Sequence, residues 1–218
     1  MGIFGDKKPD GVPENAALLT TGALMLNVNN LAPRDLRVRD RNKAADILES
    51  FWGVDCHDSA IGLIKDFLTL EDSQGLDEEL QSLDLDDAQA EMLNYAADYM
   101  AGHKRYGVSK GKRTTKEQVD AVKTTVAWDI ERAGFIARLA FACDYLSDEE
   151  AVDILTETHR LAEEYFNDWV DYAISYVKAR SLVMATTSSK GDMTSVFDNG
   201  ILLEERKWGD VWSWAPLS

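Results

Sequence analysis

Three charged side chains stand inside one of the most apolar stretches of this sequence. The segment from Thr125 to Ala151 reads TVAWDIERAGFIARLAFACDYLSDEEA, and it carries Asp129, Arg132 and Arg138 among large hydrophobic residues. Charged groups are almost never buried unless they are paired. Two chemistries follow. Asp129 and Arg132 are three residues apart, so on a helix they meet as an ion pair. A guanidinium carries five N–H donors, and one carboxylate leaves some of them unmet. The rest are taken either by groups on other helices or by a bound anion. The first arrangement fixes helix register. The second makes Arg132, Arg138 or both an anion-binding site.

The spacing sharpens the choice. With Trp128 at 0° and an advance of about 100° per residue, Leu139 falls at about 20°, Arg132 at about 40°, Cys143 at about 60° and Phe135 at about −20°. Arg132 therefore lies in the middle of an apolar stripe, and Trp128, one turn earlier, can offer its ring face to the guanidinium. Arg138, at about −80°, shares its side with Ala127, Glu131, Gly134 and Ala142. Most of these are small, so another helix can approach closely there.

Other chemistry is thin. The two cysteines, Cys56 and Cys143, lie in helical patterns beside apolar residues and read as reduced, half-buried thiols. Asp55-Cys56-His57-Asp58 offers metal-type ligands, but neighbours on a helix point to different sides. The sequence contains no phosphate-binding loop, dinucleotide fingerprint or zinc-protease motif, and no catalytic pair or cofactor site is legible. We expect no metal and no cofactor.

The elements that must position these residues are helices. Apolar residues recur at three and four almost throughout, and period-two alternation is nearly absent. The spacing predicts an all-α single domain, a bundle of about seven to nine helices across residues 1–218. Its parts are a flexible N-terminus at 1–12, a helical core at 115–186, and a loop with a Trp-rich tail at 187–218. Thr115 with Gln118 and Ser147 with Glu150 read as capping boxes. A continuous helix from Lys116 to Leu146 would be about 46 Å long, so a kink near Thr124 or Gly134 is expected. The Lys- and Arg-rich stretch beginning at Lys104 reads as an exposed loop. Trp208, Trp212 and Trp214 are expected to fold back over the core rather than form an interface.

Composition narrows the partners. Net charge is −16, with 39 acidic against 23 basic residues. Such a chain is repelled by nucleic acid and by anionic membranes. The longest apolar runs fall short of a membrane span, and MGIFGDKKPDGVPE has no apolar signal core, so the expected location is cytoplasmic. Charge is unevenly laid out. Glu71 to Gly102 holds ten acidic residues and no Lys or Arg, and Asp144 to Asp171 holds ten more against Arg160 alone. A basic protein is the partner such faces suit. The contact residues expected are Asp77, Glu78, Asp84, Asp86, Asp87 and Glu91, or else the segment from Asp148 to Asp153.

Two segments, AWDIERAGFIARLAFACDYLSDEEA and DWVDYAISYVKAR, resemble a bacterial family known as domain of unknown function 1266. Members show Trp-Asp, two Arg six apart, a Tyr followed by Leu or Ile, an acidic turn, and then Trp with aromatics. Here these positions are Trp128, Asp129, Arg132, Arg138, Tyr145 and Trp169. The match runs from Trp128 to about Met184. Asp168 stands where members usually have Ser. The resemblance implies an α-helical domain and supplies no established activity; these six residues are our own candidates for structural or anion-binding positions. Two functions are expected to compete. One is a non-enzymatic acidic protein-binding module, for instance an immunity-like neutraliser of a basic toxin. The other is an enzyme or small-anion sensor built on Arg132 and Arg138.

Overall fold

In the computed structural model, residues 12–82, 84–104, 113–203 and 211–217 are described. The N-terminal stretch expected to be flexible, most of the basic loop, and Trp208 lie outside them. The chain is all-α. A 3-10 turn at Ala16–Leu19 precedes α1 (Ala23–Val28), α2 (Arg41–Trp52), α3 (His57–Leu68), α4 (Glu71–Ser82) and α5 (Asp87–Met100). Then come α6 (Lys116–Ala121), α7 (Ala127–Ala142), α8 (Asp148–Tyr165), α9 (Trp169–Val183), α10 (Lys190–Leu203) and α11 (Val211–Trp214). Among the described residues the sole β pairing is one bridge between Lys104 and Arg113.

Helix α7 is the axis of the molecule. All of its residues from Ala127 to Ala142 are buried, and it packs against α1, α2, α3, α4, α8 and α9. Helix α9 is nearly as enclosed, with α5 and α10 laid along it. The apolar core divides in two along α7. One cluster gathers Trp128, Trp169, Tyr172, Tyr176 and Trp212 with α9 and α10. The other gathers Phe135, Ile136 and Leu139 with α2 and α3.

The caps follow the sequence. Asp40 starts α2 by accepting from the Lys43 amide, and Gly53 ends it at φ +64°. Asp86 with Gln89, and Ser147 with Glu150, close full capping boxes on α5 and α8. Thr115 caps α6 through the Gln118 amide, but the Gln118 side chain turns away to Asp171.

The break expected near Thr124 or Gly134 falls at the first of these, where residues 122–126 leave the helix between α6 and α7. The break is held from outside: Asp77 accepts from the Thr125 amide and hydroxyl and from the Thr124 hydroxyl. Two expectations are corrected. Residues 190–203, read as part of a loop and tail, form α10. Ser189 and Asp192 cap it reciprocally, and Met193, Val196, Phe197 and Ile201 face the core. Cys56, read as half-buried, is exposed at the N-cap of α3, while Cys143 is buried.

Candidate functional site

The charges inside α7 have separate partners. Asp129 (1% exposed) and Arg132 (8%) form the ion pair that their spacing implies. Arg132 Nη2 also donates to Asp72 at the start of α4, at 2.8 Å, and its Nε donates to the Trp128 carbonyl. Asp129 accepts from the Ser73 amide at 2.9 Å, so it caps α4 from another helix. The guanidinium lies over two rings, 4.2 Å from the Phe67 centroid and 4.8 Å from that of Trp128.

Arg138 is on the other side of α7 and wholly buried. It donates to the carbonyls of Leu19, Pro33 and Asp35, tying the N-terminal segment onto α7. Burial pushes its pKa down to about 10, against the pull of Glu131 and Asp35. A shared anion site of Arg132 and Arg138 is therefore not formed. The roughly 120° between them on the wheel points them at different neighbours.

Glu131 is the buried group that sequence reading passed over. It accepts from the amides of Gly22 and Met25, at 3.0 and 2.9 Å, and from the Tyr172 hydroxyl at 2.8 Å. It thus caps the first turn of α1 across the helix interface. Burial pushes its pKa up, and the three donors and Arg138 pull it back.

Beside Arg132 a cleft of about 350 Å³ opens between α1, α2, α7, α9 and α10. Its walls come from helical spacing. Trp128, Arg132 and Phe135 are one face of α7 at i, i+4 and i+7, and Tyr176 and Arg180 are one face of α9 at i and i+4. Met184, Met25, Ile47 and Trp52 complete the lining, with Phe51 at the rim, 78% exposed. The rings form a frame. Trp128 and Tyr176 lie 5.3 Å apart, and Trp52 meets Phe67 and Phe135 edge-on at 5.8 and 6.5 Å.

The two arginines of this cleft differ. Arg132 faces two carboxylates. Arg180 makes no ion pair with any described residue, and its buried Nε has no hydrogen-bond partner. Its guanidinium lies by the Tyr176 hydroxyl. Burial pushes that phenol up to about 12, with Arg180 opposing the shift. Tyr176 is therefore protonated at neutral pH. The described lining thus offers apolar surface, ring faces and one guanidinium, that of Arg180, with no carboxylate in ion-pair contact, a set suited to holding a ligand.

A second cavity, of about 550 Å³, is lined by Lys116, Asp120, Lys123 and Lys178. Lys178 donates to the carbonyls of Val119 and Val122, at 2.6 Å each, at the end of α6. Burial draws its pKa down to about 8.

The remaining expected residues scatter. Tyr145 is half-buried in the turn after α7 and packs on the α2–α3 side of the core. Trp169 is buried, stacks on Trp212 at 5.3 Å, and donates to the Ala215 carbonyl. Neither joins the cleft. Of the acidic residues, Asp77 holds the turn before α7, Asp86 caps α5, and Glu91 pairs with Lys190 at 2.6 Å. Glu78, Asp84 and Asp87 are exposed. His57 bonds Asp58 and Glu150, and among the described residues no group of His, Cys, Asp and Glu is placed to hold a metal. No described helix is long and apolar enough to cross a membrane.

Comparison with known proteins gives a family and no activity. A model of the family described as "Protein of unknown function (DUF1266)" matches residues 38–208. The chain is also similar to the uncharacterised protein YbeR of Escherichia coli (strain K12), with 35% identity over 54 residues. That segment is 25% of this chain and 23% of the relative, so the match spans under a quarter of that protein's length. No solved structure matches.

Proposed function

Because the chain belongs to the DUF1266 family of unknown function, membership brings no activity with it, and we propose from the cleft that this is a binding domain for a small apolar ligand. The observation that carries the reading is the convergence of five helices on one cavity framed by Trp52, Trp128, Phe135 and Tyr176. Ligand sites are typically concave, mostly apolar and about 300–1,000 Å³, with a few convergent polar groups. The cleft falls within that range. The reading is non-catalytic because the titratable lining is two guanidiniums and a phenol held protonated. The test is a fluorescence titration with 1-anilinonaphthalene-8-sulfonate. Wild type should bind it saturably, at one site. Val28→Trp, which fills the cleft from its half-exposed rim, should abolish that binding while leaving thermal unfolding unchanged. Equal binding by both proteins would refute the reading.

A second reading has its own observation. Glu78, Asp84 and Asp87 are exposed on and after α4, in a segment without Lys or Arg. This supports a basic protein partner, for which an immunity-like role is one form. Association through exposed charge is screened beyond about 8–10 Å at physiological ionic strength. A partner captured on immobilised protein at low salt should therefore be lost at high salt, and lost at low salt with Glu78, Asp84 and Asp87 replaced by Ser.

A further inference from the structure

The cleft is apolar almost throughout, and its polar features are unequal. Asp129 and Asp72 already answer Arg132. Arg180 has no carboxylate within ion-pair distance among the described residues; it lies by the Tyr176 hydroxyl, with Asp192 near enough to feel its charge, and its Nε is buried with no acceptor. A buried donor left without a partner is rare in folded proteins and costs free energy. A guanidinium that lines a cavity without an ion-pair partner has the chemistry to take a carboxylate. The apolar side of the ligand is set by the neighbouring rings, where Trp128 and Tyr176 stand 5.3 Å apart with an interplanar angle of 37°.

We propose that Arg180 is the recognition residue of the cleft, and that its ligand is a small aryl-alkyl monocarboxylate. The carboxylate accepts from the Arg180 guanidinium, and the aryl body lies against Trp128 and between Met25 and Met184. A monoanion fits better than a dianion. The carboxylates of Asp72 and Asp129 exceed the charge of Arg132 by one, so a second negative group deeper in the cleft meets repulsion. This assignment rests on the reading of the cleft as a ligand site.

The experiment compares 4-phenylbutyrate with its uncharged counterpart 4-phenylbutan-1-ol by calorimetric titration, with Met25 and Met184 methyl shifts locating the bound molecule. The protein is the full chain. Wild type should bind the acid on the order of tenfold or more tightly than the alcohol, as expected for a charge-assisted hydrogen bond. Arg180→Met keeps most of the apolar stem; it should bring the acid down to the alcohol's affinity and leave the alcohol unchanged. A merely structural role for Arg180 would weaken both probes together, and would overturn the assignment. Equal binding of acid and alcohol by wild type overturns it too, while leaving the apolar cleft in place. Binding of neither probe by wild type removes the ligand reading itself. If Arg180→Met does not fold, Arg180→Gln takes its place, and the acid-to-alcohol ratio of wild type decides the matter by itself.

Discussion

Removing Arg132 alone leaves Asp129 inside the protein with little beyond the Ser73 amide against it. A buried pair broken on one side typically costs about 3–5 kcal/mol, while replacing both members costs much less. Arg132→Met should therefore lower the urea midpoint steeply, and Arg132→Met with Asp129→Asn should recover a good part of the loss. Additive effects of the two substitutions would contradict the pairing. The exposed link between His57 and Glu150 behaves differently, because it titrates. Hydrogen bonds to Asp58 and then Glu150 raise the His57 pKa above 6.5. The bond from His57, followed by those from Ser147, lowers Glu150 to about 2. The raised histidine stabilises below its unfolded pKa and loses that contribution as pH rises through its folded pKa. The depressed carboxylate stabilises above about 4.5 and loses its contribution as pH falls towards 2. The link is thus fullest between about pH 4.5 and 6.5. A proton NMR titration should show His57 raised in wild type and shifted back towards 6.5 in Glu150→Gln. At this scale the sequence was only partly readable. Asp129 and Arg132 are local to one helix, so their pairing follows from spacing. Asp72 is 60 positions from Arg132, and of the Glu131 donors Gly22 and Met25 lie over 100 positions away and Tyr172 is 41 away on α9; no local pattern announces such partners. Arg180 stood in a family-like segment, yet its place in the lining of the cleft beside Tyr176 depends on packing between helices.

Between elements, the closest approach is where α1 begins over the middle of α7. Gly22 opens α1 at φ +73°, a left-handed conformation that suits glycine. A Cβ on Gly134 would come within 2.8 Å of the Gly22 amide nitrogen and of the Thr21 carbonyl carbon. Both contacts are backbone, so neither can swing aside. Forcing extra volume into a packed contact costs about 1–3 kcal/mol or more. On a helix surface the same Gly134→Ala change would stabilise, since Ala is the better helix former. Loss of thermal stability in Gly134→Ala is the expected outcome; a gain would show that the crossing is looser than this. The small-residue side of α7 was legible from the wheel, and so was the fact that something must pack there. What packs there was not, because α1 is six residues long and preceded by an irregular turn. The missed α10 carries a signal that spacing could have supplied. Ser189 and Asp192 are in the Ser-x-x-Asp relation of a capping box, and the apolar residues after them recur at three and four. The run of Thr, Ser and Gly just before it masked the pattern by resembling a loop. The break between α6 and α7 was expected near Thr124 or Gly134 from the length of the run alone; what holds it at the first of these, Asp77 reaching from α4, has no local mark.

Across the whole molecule the turn at Thr20 and the short helix α11 meet over the middle. The Trp212 indole N–H donates to the Thr20 carbonyl, 192 positions away, at 2.9 Å. Its ring stacks on Trp169 at an interplanar angle of 9° and meets Tyr172 edge-on. Gly200 lets α10 lie close to α9, since a Cβ there would stand 3.2 Å from the Ala173 Cβ, with the Trp212 ring next at 3.4 Å. Within the described part of the tail, Val211, Trp212 and Leu217 therefore belong to the core. Trp212 closes the side of α9 that carries Tyr172, whose hydroxyl in turn holds Glu131 over α1. Removing Trp212 loosens that chain of contacts at its outer end. Trp212→Ala should cost about 3–5 kcal/mol, the usual range for deleting a large buried aromatic. Trp212→Phe keeps most of the ring contact and gives up the hydrogen bond to Thr20. It should cost less than the alanine change and more than the roughly 1 kcal/mol of one hydrogen bond, because the smaller ring leaves space beside Trp169. Urea unfolding followed by circular dichroism ranks the three proteins. The same substitutions should leave the ligand cleft intact, since Trp212 does not line it. Titration of 4-phenylbutyrate into Trp212→Phe should give wild-type affinity. Affinity falling in step with stability would mean that the tail and the cleft open together, and that the N-terminal segment, held by both Trp212 and Glu131, is the element that joins them.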